Sequence, residues 1–181
     1  MGKYLSCFRF KRAFLSLLII CFLSPAQGWS DTLLASKVKA AYLYHLTQFV
    51  EWTSLPSDYF HLCVMGDEQV GELLTEIATR KVKGRTIQIS LSDNINPTSC
   101  HLLFIGRSEA AWRDVVNQIG GASVLTVCDI DAFASAGGVI GFYQDAGKIK
   151  LEINPQAAQQ AHLKISAKLL EMARHTASRG Q

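Results

Sequence analysis

The sequence predicts an α/β protein of three layers: a mostly parallel sheet, an antiparallel hairpin at its edge and helices on both faces. Three observations carry this. Short apolar runs alternate with helix-like stretches, the pattern of strands joined by crossovers. Leu102-Leu103-Phe104-Ile105 is apolar without alternation and ends at Gly106, which suits a central strand covered on both faces. Two strand-like runs, 139–143 and 148–153, flank Gln144-Asp145-Ala146-Gly147, and the second alternates Lys148, Lys150 and Glu152 with Ile149, Leu151 and Ile153, as an edge hairpin does.

Taken in order, the chain opens with Lys3, Arg9, Lys11 and Arg12 ahead of an apolar run over 13–23, followed by Pro25-Ala26-Gln27-Gly28. A charged start, a short apolar core and small residues form a cleavable secretion signal, 1–28, too short for the roughly 20 residues of a membrane span. Cys21 lacks the small residues before it that a lipid anchor requires. Residues 29–181 then read as one domain, an ordinary size for a single core.

Over 34–52 there is no Gly or Pro, and Val38, Tyr42, Leu46, Phe49 and Val50 recur at three- and four-residue steps, which predicts an amphipathic helix. Residues 60–65 form a strand closed by Gly66-Asp67, and 68–80 a helix. Ile87, Ile89 and Leu91 alternate as a strand with one buried face, and the loop 93–100, with Asn94, Asn96 and Pro97, breaks it. Ser108-Glu109 opens a helix to about Ile119, and 124–127 is a strand delivering Cys128, Asp129 and Asp131 at its carboxyl end, where α/β proteins place their sites. Asn154-Pro155 and Ser166 each start a helix, so the chain ends helical, with 175–181 as a frayed tail.

Charge and cysteine content narrow the function. The whole chain is +3, but removal of the signal leaves 14 Lys and Arg against 15 Asp and Glu, a net −1. Without a basic excess there is no footprint for nucleic acid and no polybasic patch for a membrane surface. Cys63, Cys100 and Cys128 remain in a compartment where thiols oxidise, so at most one internal disulfide forms. Cys63 and Cys100 lie at or beside neighbouring buried strands, within reach of a bridge; two buried free thiols are the other reading.

Catalytic patterns are missing from the sequence. It has no Gly-x-Ser-x-Gly elbow, and Gly66-Asp67-Glu68 places two acids where a phosphate cradle would need neutral glycines. His45, His61, His101, His162 and His175 are too scattered for a local metal motif, so no metal, cofactor or catalytic residue is assigned. Asp129 and Asp131 read as caps for a helix around Phe133 rather than an acid–base pair. Tyr44 and Trp52 on the first helix are weighed as a partner-facing pair against the core stripe that such spacing usually marks.

A resemblance then adds to these readings. The segments KAAYLYHLTQFVEW at 39–52, LCVMGD at 62–67, Gly84-Arg85, CHLLFI at 100–105, Ser108-Glu109, VLTV at 124–127, Gly137-Gly138, EIN at 152–154 and LKIS at 163–166 followed by Leu169-Leu170 resemble, in that order, the YfiR family. The resemblance implies a periplasmic, non-catalytic protein that binds and represses an inner-membrane diguanylate cyclase, lowering cyclic di-GMP and biofilm formation. It also implies a homodimer and a disulfide in which Cys63 and Cys100 match the family's longer-range pair. Cys128 departs from the pattern, because 132–143 holds no second cysteine to join it. The alternative reading is a periplasmic small-ligand-binding accessory protein with a pocket at the strand ends near Gly66, Gly106 and Asp129.

Overall fold

A computed structural model describes residues 28–176 except 54, 56, 108 and 109. The chain divides into a leading segment, Met1–Thr32, and a compact unit, Leu33–Gln181. The predicted signal over 1–28 therefore lies outside the described residues but for Gly28, as do Ser108-Glu109 and the tail from 177.

The fold is the three-layer α/β arrangement expected. Among the described residues there are ten strands: β1 Val50–Trp52, β2 Tyr59–Met65, β3 Lys81–Val82, β4 Arg85–Leu91, β5 Leu102–Ile105, β6 Leu125–Cys128, β7 Ile140–Asp145, β8 Lys148–Ile153, β9 Leu163–Ile165 and β10 Arg174–His175. Five α-helices accompany them among the described residues: α1 Gly28–Phe49, α2 Glu68–Ile77, α3 Trp112–Ile119, α4 Pro155–Gln160 and α5 Ala167–Met172. Eight strands form one sheet in the order β10-β8-β7-β6-β5-β2-β4-β3, and β1 pairs with β9 in a separate two-stranded ribbon. β4, β2, β5, β6 and β7 run parallel.

Alternation along the central strands sorts their side chains into two cores. Phe60, Leu62, Val64, Leu102, Phe104, Leu125 and Val127 face α1, α2, α4 and α5, joining Leu43, Leu46, Val70, Leu74, Ala158 and Leu169. Cys63, Met65, Leu103, Ile105 and Cys128 point the other way and meet Trp112, Val115 and Ile119 of α3 together with Phe133. All four residues of β5 are therefore buried, which is why that run shows no polar alternation.

Caps set several helix starts. Asp67 accepts from Val70 N at 3.1 Å, Asn154 from Ala157 N at 3.0 Å and Ser166 from Leu169 N at 3.2 Å, satisfying backbone N–H groups that the helices leave open.

Four expectations need correction. The first helix stops at Phe49 rather than Trp52, because Val50, Glu51 and Trp52 find ladder partners in Ile165, Lys164 and Leu163. α3 begins at Trp112, later than Ser108. Asp129 and Asp131 do not cap the turn after them, since the short 3₁₀ helix Ala134–Ala136 has no side-chain cap. The hairpin β7–β8 forms, but Glu152 and Ile153 of β8 pair onward with Arg174 and His175, so the last element among the described residues is a strand rather than a helix.

Candidate functional site

The parallel strands were added in two directions, and this positions the site. After β2, the chain passes through α2 to β4 on one side; it then crosses back to place β5, β6 and β7 on the other. At such a reversal the connections leave in opposite directions and open a crevice beyond the carboxyl ends of the strands. Here the crevice lies between Gly66-Asp67 after β2 and Gly106-Arg107 after β5.

The two backbones meet closely at its floor. Gly106 N donates to Met65 O at 2.7 Å, and a Cβ on Gly106 would lie 2.4 Å from Gly66 O. Only glycine fits at position 106 without displacing backbone.

Four charged side chains converge above this floor. Lys39 reaches from α1, its Nζ 2.6 Å from Asp129 Oδ2 and 3.3 Å from Asp67 Oδ2. Arg107 Nη2 donates to the Asp129 carbonyl at 2.7 Å. Burial acts to lower the Lys39 pKa, but the hydrogen bond and charge of Asp129, with those of Asp67, outweigh it and hold the pKa above its ordinary value. Lys39 is thus a fixed cation and is not available as a base.

Asp129 is only half satisfied. Its side chain is 9% exposed, and Oδ1 finds no hydrogen-bond donor among the described residues. A cleft of about 330 Å³ opens against these groups, lined also by Phe142, Tyr143 and Ile149. Of the strand-end residues Gly66, Gly106 and Asp129 named from the sequence, Gly66 and Asp129 line this cleft, together with Lys39, Asp67 and Arg107, which the sequence reading did not place there. Their role depends on the strand order, although the acid ending LCVMGD at a strand end was a signal.

Cys63 and Cys100 are joined, with their Cα atoms 5.9 Å apart. Cys63 stands on β2, opposite Leu103 of β5, and Cys100 lies just before β5. His101 follows the bridge, and its Nδ1 accepts from His61 N at 2.9 Å, which requires a ring nitrogen without a proton. Burial first, then the charges of His61 and Arg85, push its pKa below the ordinary value.

The His101 carbonyl accepts from Trp52 Nε1 at 3.0 Å and from Leu125 N at 2.9 Å. Trp52 is therefore a core residue, 8% exposed, and is withdrawn as a partner contact. Tyr44 is half-buried and packs beneath the Arg80 guanidinium, 5.4 Å from its ring centre. Arg85, next to Gly84 at φ +80°, donates to the carbonyls of Ser57 at 2.8 Å and Leu55 at 3.1 Å, fixing the loop that leads into β2.

Cys128 is a free thiol, buried, and burial pushes its pKa up to about 12. It is held as a thiol and is a poor nucleophile at neutral pH. Among the described residues no group of three or more His, Cys, Asp or Glu side chains could hold a metal ion, and no helix is long and apolar enough to cross a membrane.

Comparison with known proteins adds three findings. The family described as YfiR/HmsC-like matches residues 36–174. No curated protein matches the chain. Two solved structures share the fold: the ABC domain in complex with L-Trp from Streptococcus pneumonia, 12% identical with a TM-score of 0.52 over 77% of this chain and 59% of its own, and a conserved domain protein from Vibrio cholerae, 11% identical with a TM-score of 0.53 over 78% and 60%. The chain spans about three fifths of each, and at these identities the likeness concerns the fold alone.

Proposed function

The chain belongs to the YfiR/HmsC-like family, and on that premise we propose that it is a periplasmic regulatory protein that binds and represses an inner-membrane diguanylate cyclase. The single observation that carries this is the family match, which runs over 36–174 and so takes in both cores, the disulfide and the cleft. Residues 1–28 act as the cleaved export signal and 29–181 as the working domain, a homodimer.

Repression in this reading needs no chemistry. The protein binds one conformation of the cyclase's periplasmic part more tightly than the other, and only that difference shifts the cyclase toward its inactive state. The described groups suit such a role: Lys39 stays charged between two carboxylates and Cys128 stays protonated and buried. The Cys63–Cys100 bridge suits an oxidising compartment.

The test is affinity capture from membranes with the exported protein as bait, alongside cyclic di-GMP measured in cells lacking the gene and cells with it restored. Capture of a cyclase and a rise of cyclic di-GMP on deletion are expected. An unchanged cyclic di-GMP level with no cyclase captured overturns the reading.

A further inference from the structure

The crevice beyond β2 and β5 is a built cavity with charges that the regulatory reading does not use. We propose that it is a binding site for a small zwitterion of the α-amino-acid class, with the ligand's ammonium on Asp129 and its carboxylate on Arg107. The inference holds whichever partner the protein has.

Three observations converge on it. Asp129 carries a carboxylate with one oxygen on Lys39 and the other, Oδ1, without a donor among the described residues. A buried acceptor left without a donor is costly, so a ligand that brings one is favoured. Oδ1 is closed off from solvent, so the proposal requires the carboxylate to turn toward the cleft as the ligand enters, a rotation about an Asp side chain's last bond that is soft.

Charge balance is the second observation. The cleft is lined by two cations, Lys39 and Arg107, and two carboxylates, Asp67 and Asp129. A free cation or a free anion would meet one matching and one opposing pair, whereas a zwitterion can align both of its ends. Lys39 is held by both carboxylates, so the exposed Arg107 is left to receive the ligand's carboxylate. Its guanidinium is already oriented by the Asp129 carbonyl at 2.7 Å, and a planar fork so fixed suits a carboxylate.

The third is size and lining. About 330 Å³ stands at the low end of the roughly 300–1,000 Å³ of ligand pockets, which selects a small metabolite. Phe142 and Tyr143 supply a wall for an apolar or aromatic side chain. The position, at the reversal of strand order, is where open α/β sheets bind ligands.

Isothermal titration of the purified protein with the common L-amino acids tests this, with 2-phenylethylamine and 3-phenylpropionate as probes lacking one charge. At least one amino acid is expected to bind with a Kd below about 1 mM, and to lose about tenfold or more in affinity in Arg107→Gln and in Asp129→Asn, as when a hydrogen bond to a charged group is removed. Arg107→Gln should also abolish the preference for phenylalanine over 2-phenylethylamine. Circular dichroism shows whether Asp129→Asn folds; if it does not, the exposed Arg107→Gln decides alone. No binding by any amino acid, equal binding of the amine and its parent amino acid, or unchanged binding in Arg107→Gln overturns the proposal. None of these outcomes bears on cyclase capture, so the two readings fail separately.

Discussion

Lys39 joins two acidic strand ends to α1, so the residues of this cluster should be costly to change one at a time. Asp129→Ala leaves the ammonium with Asp67 alone in a largely buried setting, 16% exposed, and we expect a loss of about 3 kcal/mol in urea unfolding. Gly106→Ala drives a methyl group toward Gly66 O, 2.4 Å away, and should cost about 1–3 kcal/mol by overpacking. Trp52→Phe keeps most of the packing but removes the bond to the His101 carbonyl, so a loss of about 1 kcal/mol is expected. His101 sets a pH dependence whose sign follows from its lowered pKa. The unfolded imidazole takes up a proton near its ordinary pKa while the folded one resists, so below that value the unfolded state binds more protons. Stability should therefore decline as pH falls from about 6.5 toward the lowered folded value and then level off. Melting temperatures from pH 8 to 5 check this, and His101→Gln should flatten that part of the profile; a profile identical in the variant overturns the assignment.

At the scale of elements, β1 and β9 show why local pattern is not enough. Residues 34–52 carry helical spacing without a break, yet Val50 to Trp52 are extended because Leu163 to Ile165 complete their hydrogen bonds and Ser166 N donates to Phe49 O at 2.9 Å. The helical reading reached too far because the competing partner lies more than 100 residues away. A proline at Lys164, the residue facing Glu51, is expected to loosen this ribbon and to expose the backbone amides of 50–52 to faster hydrogen exchange, with little change in β5. β10 was missed for a related reason. Two residues carry no periodic signal, yet Arg174 stacks on Tyr143 with its guanidinium 4.0 Å from the ring centre and pairs with Glu152 at 3.2 Å. By contrast the caps at Asn154 and Ser166 were legible, because a capping side chain and the N–H it serves are only three residues apart.

For the whole molecule, the Cys63–Cys100 bridge closes a loop of 37 residues, for which the chain-entropy model gives about 4 kcal/mol of stabilisation. The Cys63→Ser, Cys100→Ser double variant should unfold at correspondingly lower urea, and captured cyclase should fall with it if the bridged fold is the binding form. The fold class was within reach of the sequence because β5 is apolar at every position, β4 alternates and β7–β8 is a hairpin, each a property of contiguous residues. The order of motifs from Lys39 to Leu170 likewise carried the family resemblance. What the sequence alone determined about this protein is thus the alternation of strands and helices, the helix caps, the net charge and the family. Strand order was decided only in the tertiary structure. That order places β5 beside β2 rather than beside β4, and so brings Lys39, Asp67, Arg107 and Asp129, which span 90 positions, into one cleft. Hydrophobic periodicity specifies which face of a strand is buried and not which strand lies next to it, so a site made of side chains from α1 and from the turns after β2, β5 and β6 exists only once the sheet is assembled.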